Sequence, residues 1–141
     1  MLWLQQDAAQ IVRDKLRDVI PGGAEFVRAE LPEGWAPRAG PVCTVHADGS
    51  QAAPPGTDRE LVRVTVRAED QPRARRIMTE IDAFLTTPGF HFLGFSISRN
   101  RGTGLISGPD SLVGGYFASA TYAIATSRKR KVMNHGTSAQ P

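Results

Sequence analysis

The block from Glu60 to Leu85 constrains this chain more than any other stretch, because a period-two strand runs straight into a capped helix with one apolar stripe. Over Leu61–Ala68, Val62, Val64 and Val66 fall on one face and Arg63, Thr65 and Arg67 on the other, since successive strand side chains point to opposite sides. One face is therefore core, and the other is predicted to carry positive charge. Asp70 suits an N-cap and Pro72 a first-turn position. Beyond them Ala74, Ile77, Met78, Ile81, Phe84 and Leu85 recur at i, i+3, i+4 until Pro88 and Gly89 end the pattern. A strand followed by a helix whose stripe must cover a sheet specifies a layered α+β fold. No residue in the block is spaced for catalysis.

The rest of the chain reads as further pieces of the same layer. Ala8, Ile11, Val12, Leu16, Val19 and Ile20 predict a helix over Gln5–Ile20, with Arg13, Asp14, Arg17 and Asp18 mostly on its other side and Pro21, Gly22 and Gly23 ending it. Alternation predicts a short edge strand over Glu25–Leu31. Pro32, Gly34, Pro37, Gly40 and Pro41 then make a loop around Trp35, a residue suited either to tuck onto the core or to anchor an interface. A strand over Val42–Ala47 leads through Asp48 and Gly49 into a long hairpin. Phe90–Ser98 alternates as a strand, residues 99–115 read as a loop, and Tyr116–Ser127 closes the sheet as a long strand rich in small and β-branched residues. These elements predict a single α+β domain over residues 1–131, a mixed and mainly antiparallel sheet flanked by two helices with long hairpin loops. Residues 132–141 lack periodicity and are predicted to be a flexible tail.

At 141 residues the chain suits one core. Its longest apolar runs are far short of the roughly 20 residues that span a bilayer, and the N-terminal residues lack a leader pattern, so no membrane association and a cytoplasmic site of folding are expected. A lone cysteine, Cys43, excludes an internal disulfide and a cysteine zinc cluster. Cys43 and His46, three apart in a strand, point to opposite faces, and His91 and His135 complete no ligand set of recognised spacing. No G-x-S-x-G elbow is present, and Glu80 and Asp82 lie about 200° apart around their helix, which rules out a carboxylate pair there. Gly102–Gly108 lacks the Lys-Ser/Thr ending of a phosphate loop. No enzyme activity, metal or cofactor is expected. Charge is concentrated in Arg128, Lys129, Arg130 and Lys131, either a solvated flank or a phosphate-facing patch. Arg99 and Arg101 sit at the base of a glycine-rich arm, open either to water or to anionic partners.

Leu61–Ala68, Ala74–Leu85 with Pro88, Gly104–Asp110 and Gly114–Tyr122, taken in that order, resemble the lambda-type siphophage tail terminators. The similarity is one of pattern, from the first helix to the last strand. It implies a virion structural protein, assembled in the host bacterial cytoplasm, that forms a hexameric ring, stops the tail tube and joins it to the head or neck. It implies as partners further copies of the chain, the major tail tube protein and a head-closure or connector protein, with genome DNA passing through the lumen. Loops at residues 31–41, 49–58 and 99–115 are expected to take shape in that assembly. Trp35, Arg99, Arg101, Gly102, Gly104, Leu105, Ile106 and Tyr116 are then candidates for the subunit or tube interface. Arg128, Lys129, Arg130 and Lys131 are candidates for transient, sequence-independent DNA contact in the lumen. A head-closure or head-to-tail adaptor shares this pattern, and a small nucleic-acid-binding module is a third reading, favoured by the basic run and by Arg63 and Arg67.

Overall fold

A computed structural model describes residues 2–51, 55, 57–86, 95–99 and 104–131. Its elements are β1 (Leu2–Leu4), α1 (Ala8–Val19), α2 (Gly23–Phe26), β2 (Val27–Arg28), a 3₁₀ turn (Pro37–Ala39), β3 (Val42–Gln51), β4 (Thr57–Ala68), α3 (Gln71–Leu85), β5 (Phe95–Arg99), β6 (Ile106–Pro109), β7 (Tyr116–Ser127) and β8 (Lys129–Lys131). Six strands form one mixed sheet in the order β2-β3-β4-β7-β5, with β6 also paired to β7, and β1 with β8 forms a separate two-stranded ribbon. The fold is α+β, as the alternation of strand and helix patterns predicts.

Both long helices start where the sequence caps them. Asp7 accepts the Gln10 amide at 3.1 Å and Asp70 the Arg73 amide at 2.9 Å, each satisfying an orphan donor of the first turn. The stripes of α1 and α3 meet the same sheet face, where Val45, Val62, Val64, Val66, Ala118, Ala120, Tyr122 and Ile124 are buried beneath Val12, Leu16, Met78, Ile81 and Leu85. Tyr122 brings a hydroxyl into this core, and its O–H donates to Asp82 Oδ1 at 2.7 Å. The acid that the helix periodicity separates from Glu80 is thus buried in a structural bond.

Several expectations change. The predicted strand over Glu25–Leu31 is a turn of helix followed by only two strand residues, which pair parallel to Cys43 and Thr44 of β3. Parallel pairing requires a crossover of about a dozen residues, and this explains the length of the proline-rich connection before β3. Because β2 is so short, the Val45 carbonyl lies beyond its reach, and Arg13 Nη1 donates to it at 2.7 Å. Arg13 is accordingly buried, although its place on the helical wheel reads as solvent-facing. β3 and β4 both extend past their predicted ends, through a register shift between Ala47 and Ser50. The predicted strand Phe90–Ser98 is described only from Phe95, its earlier residues lying outside the described set.

The largest correction concerns the predicted loop at 99–115. Arg99 ends β5, opposite Tyr122, and Ile106–Pro109 forms β6, opposite Ser119 to Tyr116. β5 and β6 run in the same direction along one edge of β7, so the edge strand is interrupted rather than absent, and the segment from Ile106 is not a flexible arm.

Candidate interaction surface

The two helices cover one face of the sheet; among the described residues no helix covers the other. Residues 44, 46, 63, 65, 67, 117 and 119 fall on this open face by strand alternation and register. At its upper end lies a groove of about 420 Å³ bounded by His46, Arg63, Thr65, Arg67, Leu112 and Phe117. Its floor is polar: the Thr65 and Ser119 hydroxyls meet at 3.1 Å, and Arg63 Nε is buried there without a hydrogen-bond partner.

The predicted positive charge of this face is neutralised within the chain. Arg67 Nε donates to Asp110 Oδ2 at 2.9 Å, and Arg63 Nη2 lies 3.0 Å from Asp48 Oδ2. Asp48 and Asp110 belong to the bulged end of β3 and to the β6–β7 turn, so long-range strand pairing supplies counter-ions that residues 61–68 alone do not reveal. Burial pushes the Asp110 carboxyl upward, but the Arg67 hydrogen bond, the Leu112 and Val113 amides and the Arg67 charge together hold it below the usual carboxylate value. The face is thus a poor electrostatic match for phosphates.

The rim is apolar and prominent. Leu112, at the tip of the β6–β7 turn, is 93% exposed, and Ile106 is 55% exposed. The turn is held by Asp110, whose Oδ1 accepts the Leu112 amide at 3.0 Å and the Val113 amide at 3.2 Å, and by the Gly114 amide donating to Asp110 O. Gly115 lies at φ +71°, and a Cβ there would stand 2.6 Å from Ala68 O and 2.9 Å from Pro37 Cγ. The proline-rich connection therefore braces the turn. Trp35 takes part from within that connection, half-buried, with its Nε1 donating to Gly40 O at 3.1 Å. Both segments have defined local bonds within one chain.

Of the other predicted interface residues, Leu105 packs against the core, Gly104 precedes it exposed, and Tyr116 begins β7 opposite Ala68 and Pro109. Arg101 and Gly102 lie outside the described residues. Leu112 and Asp110 escape the sequence reading, although Asp-Ser-Leu-Val-Gly-Gly carries the signal of an Asx turn closed by glycines.

The basic run has backbone partners. Lys129, Arg130 and Lys131 pair antiparallel with Leu4, Trp3 and Leu2 respectively. Arg128, between β7 and β8, forms a two-nitrogen contact with Asp58 at 3.2–3.3 Å, and Gln6 Nε2 donates to Ser127 O at 2.7 Å. The ribbon is thereby joined to the sheet on both sides of its base. Cys43 is buried in the core, its thiol pushed up to about 12 by burial, while His46 is exposed on the opposite face. Among the described residues no group of three His, Cys, Asp or Glu side chains is placed to hold a metal, and no helix is long and apolar enough to cross a membrane.

Neither a scan against protein-family models nor a search of curated proteins finds a match to this chain.

Proposed function

We propose that this chain is a ring-forming structural subunit of a phage tail, a terminator that ends the tail tube and joins it to the head or neck. The observation that carries the reading is the open sheet face, bare of helix among the described residues, with Arg63 and Arg67 already ion-paired and with Ile106 and Leu112 exposed at its rim. Pairing of Arg63 with Asp48 and of Arg67 with Asp110 lowers the desolvation cost of covering this part of the face. Exposed apolar groups beside it favour protein over nucleic acid as the covering partner. In this reading six copies close a ring, the tube protein and a head-closure or connector protein meet its two ends, and the basic β1–β8 ribbon touches passing DNA without regard to sequence. The head-tail junction of a virion is then its location, and it performs no catalysis.

Electron microscopy of the purified protein, alone and mixed with tubes of its tail protein, tests the proposal. Six-fold rings seated on tube ends are the expected result. Rings that ignore tubes and bind portal-containing heads would assign the chain to the neck instead, and a chain that stays monomeric and inert towards both would end the assembly reading.

A further inference from the structure

We infer that neighbouring copies of this chain dock by a heterologous contact in which the β6–β7 turn, led by Leu112, enters the groove between the end of α1 and the middle of α3. The inference deepens the ring proposal and rests on it. Four large apolar side chains are exposed among the described residues, Leu4, Val19, Ile106 and Leu112, and the contact covers two of them together.

The knob is rigid. Bonds from the Leu112, Val113 and Gly114 amides to Asp110, the Arg67–Asp110 pair and the approach of Pro37 to Gly115 fix the turn that presents Leu112. A pre-formed turn loses little conformational entropy on binding. The socket is a mainly apolar groove of about 230 Å³ lined by Val19, Ile20, Pro21, Ile77, Ile81 and Phe84, with Glu80 the one charged side chain among them. An apolar cavity of about 150 Å³ accommodates benzene, so the groove has room for an isobutyl group.

Knob and socket belong to opposite sides of one subunit, since Leu112 borders the open face and the groove lies in the helix layer. The sheet separates them, so a chain cannot fill its own socket. A two-fold pair joins like patch to like patch, whereas joining unlike patches in rotation propagates the contact and closes a ring. The turn alone is too small for a stable interface, and the open face supplies the remaining area. Strands of twelve residues such as β4 and β7 extend about 40 Å, and four neighbouring strands span about 15 to 19 Å. The footprint of the face is thus on the order of 600 to 750 Å²; Thr44, Thr65, Ser119 and Thr121 on it are already buried within the chain, so the side chains over them and the Leu112 turn together must make up the roughly 800 Å² per partner of a standard interface.

Cysteine pairing in the full-length chain tests the contact. Leu112→Cys and Val19→Cys variants, mixed and oxidised, are expected to yield a cross-linked dimer containing one of each, and the double variant a ladder ending at the ring. Cys43, buried in the core, stays out of the exchange. Leu112→Asp is expected to weaken self-association about 10- to 100-fold, the equivalent of one leucine's burial, with an unchanged melting temperature. Homodimers of Leu112→Cys forming as readily as the mixed pair would overturn the heterologous geometry. Wild-type rings without the mixed cross-link would overturn this contact and leave the ring proposal standing, while a wild-type chain monomeric at every concentration and on tubes would overturn both.

Discussion

Gly115 shows how one missing Cβ positions the whole candidate surface. Its φ of +71° and that of Gly34, +74°, are nearly equal, yet a Cβ at Gly34 meets nothing within 4 Å while one at Gly115 would press on Ala68 O at 2.6 Å. The two sites therefore separate backbone strain from steric conflict. Gly34→Ala is expected to cost about 1 to 2 kcal/mol, the penalty for a side chain in the left-handed region. Gly115→Ala adds a clash with a backbone atom and with Pro37, raising the cost to about 2 to 5 kcal/mol. Thermal melts of the two variants compare them directly, and equal melting temperatures would show that the turn yields without resistance. The same residues mark what sequence could disclose at this scale. Asp70 and Pro72 announce the α3 cap by chemistry alone, and Cys43 and His46 part company by strand parity alone. The pairing of Arg67 with Asp110 spans 43 positions, and no local pattern encodes it.

Among the elements, β4, α3 and β7 were legible because each carries enough residues of one period to outweigh its neighbours. Tyr116–Ser127 is a strand over its whole predicted length. Elements that depend on pairing were not legible: Asp48–Gln51 and Thr57–Glu60 are too polar to alternate visibly, and β6 is four residues of which the last two are glycine and proline. Glu60, in the polar part of β4, shows how elements are joined there. Its carboxyl stands near the Ala8 amide at the start of α1, where a negative charge is favoured. Burial nevertheless raises its pKa above the ordinary 4.5, the Ala8 amide opposes that rise, and Asp7 and Asp58 add to it. One of its oxygens, Oε1, is buried without a hydrogen-bond partner. A raised carboxyl means the folded state holds the proton more tightly than the unfolded chain. Stability is therefore lost as pH climbs from about 4.5 through the folded value, and the loss is complete above it. Glu60→Gln keeps an acceptor for Ala8 and removes the charge. Its melting temperature is expected to exceed that of the parent at pH 7 and to converge with it below pH 4.5; a variant less stable at both pH values would refute this account.

For the molecule as a whole, the β1–β8 ribbon joins the two ends of the described chain, with Leu2 opposite Lys131. Sequence reading misses it for two physical reasons: three-residue strands carry no period, and lysine is depleted in strands, so a basic run reads as a solvated tail. The pairing exists because β7 continues past the sheet into β8, and β1 offers it backbone partners. An isolated two-stranded ribbon is marginally stable at best, so this one is expected to contribute little to global stability while fixing the backbone at the basic run. Deleting residues 1–4 separates those roles. The deletion removes the backbone partners of Lys129–Lys131 and leaves the Gln6–Ser127 and Arg128–Asp58 bonds at the base. Native-state hydrogen exchange is expected to quicken at the amides of residues 129–131 and to stay slow across 116–127, with the melting temperature within about 5 °C, a ΔΔG near 1 kcal/mol for a domain of this size. A fall of more than about 10 °C, equivalent to roughly 2 kcal/mol or more, would instead make the ribbon part of the cooperative core. If the chain caps tubes as proposed, the truncated form is expected to keep that ability, because its open face, Leu112 turn and helix groove are untouched. DNA would then meet basic segments no longer held in place, and its association would lose strength at low salt before any loss of capping.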